Sequence, residues 1–258
     1  VCDMIENVMA RADFPPSSIG RLHVYLTAHS ERETADALAL IAARFDHGPL
    51  IVPVPVPHFY YAGMMIEVDV FAAADVQVRA PFEAGGVRLD LVDAGDQVWA
   101  HASVTSVDGA VPVDPVSLID NALARHGLHR DHLLCDFWMY AGDDAGARAI
   151  ISGAQQRYLM TNPDALVRLA GPALPVVRAA LTYGTQAVAV VTETHGIGRV
   201  RLTMKKTDGM LWGIATCADM TLGLVGQTSV IMQAMDAALR VAGASFADVV
   251  KLTAHYTG

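Results

Sequence analysis

Gln233-Ala234-Met235-Asp236-Ala237-Ala238-Leu239-Arg240-Val241-Ala242-Gly243-Ala244-Ser245-Phe246-Ala247-Asp248-Val249-Val250-Lys251-Leu252-Thr253 is the stretch whose reading decides the fold. Ile231, Met235, Ala238, Leu239 and Ala242 recur at helical spacing and make one apolar stripe. Gly243 is a stop signal. Beyond it, Val249 to Tyr256 continues as a β-type run ending at a tyrosine. The unit is helix, turn, strand.

Two other segments can be laid over it, which is the mark of an internal repeat. Ile5 to Arg11 is followed by Phe14-Pro15-Pro16 and a strand-like run from Ile19 to Thr27. Ile119 to Arg125 is followed by His126-Gly127-Leu128 and a run from Leu133 to Tyr140. A second helix is predicted after each of these strands. Glu31 to Asp46 carries Ala35, Leu38, Ile41, Ala42 and Phe45 on one face, and Asp144 to Tyr158 carries Ala147, Ile150, Ile151 and Ala154. Proline-marked loops then lead to closing strands, Met64 to Val70 and Ala187 to Thr192. Hairpins precede the second and third units. They are Arg88 to Leu91 with Gln97 to Thr105 across the turn Asp93-Ala94-Gly95-Asp96, and Arg199 to Met204 with Met210 to Cys217.

The full unit is therefore β-β-α-β-α-β-β, complete only in the middle. We expect a partial module at 1–78, a complete one at 86–195 and a partial one at 199–258. The fold class is α+β, each sheet carrying helices on one face. Helix faces turned away from the sheet are expected to form the contacts between units. A truncated unit exposes an unpaired sheet edge, which proteins avoid. The missing halves are therefore expected from chain outside this segment, from a second copy, or from the two end units completing each other.

Hydrophobic residues make up 53% of the 258 and charged residues 17%, which suggests much buried surface in packed sheets or a large interface. Neither an apolar run of membrane-spanning length nor a basic segment followed by an apolar one opens the chain, so a soluble, cytoplasmic protein is expected. The net charge of -9 and the scattered Lys and Arg argue against a nucleic-acid partner. Cys2, Cys135 and Cys217 lie far apart and read as reduced thiols. There is no phosphate-binding loop, nucleophile elbow or zinc-protease motif, and no cofactor or metal is expected.

The stretch 233–253, with its glutamine-led helix, Gly-Ala-Ser turn and Asp-Val-Val-Lys strand start, resembles the RidA/YjgF family. Phe59 to Val70 resembles that family's closing strand, and Leu174-Pro175-Val176-Val177-Arg178 its Pro-Ala-Arg segment. The resemblance implies a chorismate mutase-like fold and trimers with small-molecule clefts between subunits, here a pseudotrimer in one chain. It implies hydrolysis of reactive imines or enamines to keto acids and ammonia. That chemistry needs a guanidinium to grip the carboxylate and a carboxylate to manage protons. Carried over, the arginine falls on Arg178 and the glutamate on Glu67, in different units. The first unit has Ile51 where the arginine is expected, and the middle unit has Val188 or a neighbour where the glutamate is expected.

Each candidate also has a plainer reading. Arg178, entering an apolar strand, fits an interface salt bridge as well as carboxylate binding. Glu67, between Ile66 and Val68, fits a solvated strand face as well as an acid/base. Tyr140 ends a strand as Tyr25 and Tyr256 do, which suits packing as well as substrate contact. His58, beside Phe59-Tyr60-Tyr61, and His101, within Trp99 to Thr105, are further substrate-binding candidates. His126, His129 and His132 straddle a turn and read as surface rather than as a metal site. The leading expectation is an enzyme acting on a small carboxylate-bearing imine or enamine, suited to a specialised biosynthetic substrate. The alternatives are a non-catalytic binding or scaffold protein with degenerate clefts, a nuclease or translation inhibitor, and a different reaction on the same scaffold.

Overall fold

The structure, a computed structural model, describes residues 1–27, 30–59, 61–105, 112, 114–140, 166–168, 177–185, 189–193, 200–207, 209–217, 219 and 221–252. The helix expected at 144–158, most of the segment 174–178 and the run 253–256 lie outside the described residues. What is described is α+β with mixed sheets. Among the described residues, no helix is long and apolar enough to cross a membrane.

The first segment comprises α1 (Cys2–Arg11), β1 (Ile19–Leu26), α2 (Glu31–Arg44), β2 (Leu50–Pro55) and β3 (Ile66–Ala72). Its sheet runs β2-β1-β3, with β2 parallel and β3 antiparallel to β1. Ser30 caps α2 by accepting the Glu33 N–H at 3.1 Å, while Glu31 and Glu33 in the first turn suit the helix dipole. Ile5, Met9, Ile41 and Phe45 from the helices pack on Ile19, Leu22, Val24 and Leu26 of β1. Pro53 and Pro55 fit the edge position of β2, where a missing N–H costs no ladder bond.

The second segment comprises β4 (Val76–Val78), β5 (Phe82–Ala84), β6 (Val87–Ala94), β7 (Gln97–Val104), α3 (Pro115–Arg125), β8 (Leu133–Tyr140), β9 (Leu166–Arg168) and β10 (Val177–Gly184). Their sheet runs β4-β6-β7-β10-β8-β9, with β5 also on β6. Residues 76–78, expected to end the first unit, thus pair with the second. The β6–β7 hairpin is tighter than expected. Ala94 pairs with Gln97, so the turn is Gly95-Asp96 alone, and Gly95 at φ 64° meets its left-handed requirement. Asp114 caps α3 by accepting the Ser117 N–H at 2.9 Å, and Pro115 occupies the first turn. Val116, Ile119 and Leu123 of α3 bury against Leu89, Leu91, Ala100 and Ala102 of the hairpin.

The third segment comprises β11 (Ala189–Glu193), β12 (Val200–Lys206), β13 (Leu211–Cys217) and α4 (Leu224–Val241). It forms an antiparallel sheet, β11-β12-β13. Ala238 and Leu239 of α4 pack on Leu202 and Met204. The helix extends further back than its stripe required. Val249 to Leu252, read as a strand start, carry no strand assignment.

Among the described residues, the segments meet chiefly through sheet faces rather than through the outer helix faces that were expected. Along β1, alternation sends Leu22, Val24 and Leu26 to the helices and Arg21, His23 and Tyr25 to the other side. That side is buried too. Val52 and Val54 pack on Met139 and Ala180, and Leu50 packs on Val92, Ala94 and Trp99. A Cβ at Gly20 would lie 2.6 Å from the Trp99 ring, so only glycine permits this approach. The buried Arg21 guanidinium donates to Thr182 Oγ1 at 3.0 Å and lies 4.1 Å over the Phe71 ring. Lys205, 1% exposed, joins the third sheet to the second by donating to the Leu133 carbonyl. Lys251 joins the third segment to the first, 2.7 Å from Asp69 and 4.5 Å over the Phe71 ring.

Candidate functional site

The face of the second sheet turned toward the first segment is ordered in rungs by strand register. Arg88, Ser103 and Arg178 lie opposite one another on β6, β7 and β10. One step along come Asp90, His101 and Ala180, and then Val92, Trp99 and Thr182. Helix-facing positions alternate with these and are apolar, so polar residues on this face are free to serve another purpose. The last rung is closed off by Arg21 and Leu50. The first two border a cleft.

That cleft has a volume of about 610 Å³, in the range of small-molecule sites. Its sheet wall carries Arg88, Asp90, His101, Ser103 and Arg178, with Arg79 at the side. Its facing wall is apolar, built from Leu38, Ala39 and Ala42 of α2 and from Leu50, Ile51 and Pro53 of β2. A ligand here meets charge on one side and hydrocarbon on the other.

The charges are not equivalent. Arg79 is held by Asp93 at 2.8 Å. Arg88 holds Asp90 at 2.9 Å and Glu83 at 2.8 Å, and its hydrogen bonds to Asp90 raise its pKa. Arg178 is 9% exposed and donates to the Pro53 carbonyl at 3.3 Å, and burial lowers its pKa. Burial also pushes His101 down to about 4; Asp90 opposes the shift, while Arg178 and Arg88 add to it. The imidazole is therefore neutral near pH 7. Among the described residues, its buried Nε2 has no hydrogen-bond partner.

Of the residues singled out from sequence, the structure brings Arg178 and His101 to one wall of this cleft. Glu67 lies on β3 opposite Tyr25 and is exposed, away from the lining. Its register explains why. Tyr25, His23 and Arg21 oppose Glu67, Asp69 and Phe71, as Met139, Phe137 and Cys135 oppose Arg178, Ala180 and Thr182. Glu67 thus holds in the first segment the strand position that Arg178 holds in the second. Ile51, expected at the arginine's place, sits instead on the parallel strand β2. Tyr140 packs against the core beneath α3, on the far side of the sheet from Arg178. His58 is exposed beyond β2 and does not line the cleft. His126 packs edge-on against Phe82, and His129 and His132 meet edge to face with ring centres 6.4 Å apart.

Sequence reasoning missed Arg79, Arg88, Asp90 and Ser103. The signal for Arg88 and Asp90 was their alternation with Val87, Leu89 and Leu91, which marks one shared face. Nothing in that pattern distinguishes a cleft from open water.

What the fold and site define is a class, an α+β protein with a cleft of about 610 Å³ between two packed sheets. No family model matches the chain, and no curated protein matches it. Among solved structures, it is similar to a Salmonella typhimurium protein named as a translation initiation inhibitor. That match has 17% identity, covers 43% of this chain and 99% of that one, and has a TM-score of 0.31. It is also similar to a chorismatase at 12% identity, over 89% of this chain and 76% of that one, with a TM-score of 0.49. Neither likeness is close enough to carry a functional argument, so the chemistry of the cleft must.

Proposed function

We propose that this chain acts on a small carboxylate-bearing imine or enamine bound in the cleft between α2, β2 and the β6–β7–β10 face. The observation that carries the reading is Arg178, a guanidinium set into a buried sheet face at the wall of that cleft. A guanidinium in that place can grip an incoming carboxylate with two parallel hydrogen bonds. Water then adds to the C=N carbon and nitrogen takes up a proton. The C–N bond breaks, giving a keto acid and ammonia. With Glu67 outside the cleft, proton handling falls to His101, Asp90 or bound water. The contacts of the first sheet with the second and of the second with the third, together with the Lys251 link from the third segment to the first, support a fused array of three related modules arranged as a pseudotrimer.

A second reading is a non-catalytic small-molecule binder. The separation of Glu67 from Arg178 favours it. Ammonia release from freshly generated 2-imino acids separates the two. We expect release above buffer from the native protein and its loss in Arg178→Ala. Carboxylate binding without release would establish the binder.

A further inference from the structure

We propose that the cleft selects monocarboxylates with a branched or aromatic apolar substituent, and that the α2 face of Leu38, Ala39 and Ala42 reads that substituent. This rests on the reading of Arg178 as the carboxylate anchor.

On α2, Ile41 and Phe45 bury against β1, and Leu38 packs at the margin of that core. Ala39 and Ala42 come next round the helix, at the spacing that continues Leu38 as one face. Both are exposed, and all three line the cleft. Ile51 of β2 and Val78 of β4, the latter 47% exposed, extend the same wall. Hydrocarbon left exposed at one cleft, and not scattered singly over the surface, marks a place that something apolar covers.

The polar wall has little to offer a second charged group. Arg88 donates to Asp90 at 2.9 Å and to Glu83 at 2.8 Å, and Arg79 donates to Asp93 at 2.8 Å. A second ligand carboxylate would have to compete with these, and a ligand ammonium at Asp90 would compete with Arg88. His101 keeps its Nε2 buried. Ser103 stands opposite Arg178 in the strand register and brings a hydroxyl to the carboxylate end. Arg178 itself donates to the Pro53 carbonyl at 3.3 Å, which sets the guanidinium where the polar wall meets β2. A carboxylate gripped at that corner has hydrocarbon beside its substituent, and apolar area removed from water there favours a larger apolar group.

The test uses 2-oxo acids, the stable products of the hydrolysis proposed above: 4-methyl-2-oxopentanoate, pyruvate and 2-oxoglutarate. Titration calorimetry on the native protein is expected to show the branched acid binding about tenfold tighter than either of the others. Ala42→Asn, at an exposed helix position, and Val78→Thr, which keeps the side-chain shape, each put a polar group into the wall. Each is expected to cut the preference to about threefold. Circular dichroism checks that the variants are folded, and if one is not, the other decides. Pyruvate or 2-oxoglutarate binding the native protein as tightly as the branched acid overturns the proposal, as does an undiminished preference in the folded variants. Failure of all these acids to bind the native protein, or binding that survives in folded Arg178→Ala, overturns the anchor reading instead.

Discussion

The hairpins β6–β7 and β12–β13 have the same pairing and different chemistry. Val87 opposite Val104 corresponds to Val200 opposite Cys217, and every later rung follows in step. Beneath the helices both are apolar: Val87, Leu89 and Leu91 in one, Val200, Leu202 and Met204 in the other. On the opposite face the first rung is nearly shared, Arg88 with Ser103 against Arg201 with Thr216. The second rung differs outright, Asp90 with His101 against Thr203 with Ile214. In the third, Trp99 and Trp212 correspond, but Val92 gives way to Lys205. The face that packs under a helix is held to one pattern by burial. The other face is free to become the wall of a cleft in one hairpin and a buried contact in the next.

The largest effect expected from breaking this comparison is at Arg178. Arg178→Ala should lower ammonia release or carboxylate affinity by about a hundredfold, the scale of a lost buried charge-assisted pair. Arg201→Ala, at an exposed position of the other hairpin, should leave both within about twofold. Equal losses from the two would dissolve the distinction between the hairpins.

Next come two buried titrating groups that respond to pH in opposite directions. Asp136 on β8 accepts from Trp138 Nε1 at 2.8 Å, its Oδ1 has no partner among the described residues, and burial raises its pKa to about 7. Because the folded value is raised, this carboxyl favours folding below about pH 4. That contribution is lost as pH rises toward 7. Asp136→Asn keeps an acceptor for the indole and should gain on the order of 3 kcal/mol relative to the native protein between pH 4 and pH 8. Urea unfolding at a series of pH values measures this.

His101 works the other way. Its folded pKa of about 4 lies below the unfolded value near 6.5, so its contribution is complete above pH 6.5 and is lost as pH falls to 4. His101→Ile, which copies the residue at 214, should remove that acid-side loss. In the same titrations, the native slope between pH 4 and 6.5 should be shallower than the Asp136→Asn slope, since the two groups oppose each other. Parallel slopes would show that one of these groups is not buried as described.

The smallest effect tests how the third segment is tied to the first. Lys251→Ala removes a half-exposed ion pair with Asp69 and a cation over Phe71, and should cost about 1 kcal/mol in thermal unfolding. No change would make this link incidental to the packing of the sheets.

Much of the architecture was legible in the sequence because it rests on local periodicity. The stripe from Ile231 to Ala242, the face of α2 and both hairpins follow from side-chain alternation and turn residues. Arg178 and His101 stood out because a charged or titratable group interrupts an apolar strand. The rest depends on tertiary register. Arg21 and His23 carried no reading of their own, and only the structure shows a second sheet covering that face of β1. Glu67 and Arg178 were expected in different units as acid/base and anchor, but the regular pairing of β3 with β1 and of β10 with β8 gives them matching register positions. Only that register makes them alternatives at one position. Arg88 and Asp90 were hidden for the same reason, since a polar residue on a strand does not announce what lies opposite.

The two matched hairpins also bear on inheritance. In an assembly of identical subunits, a codon change alters every copy of a site at once, so a substitution useful in one cleft is imposed on all of them. Here positions 101 and 214 are separate codons in one message, one spelling His and the other Ile. Selection can act on one rung without editing its counterpart, and a substitution harmful in one place has no obligatory echo in the other.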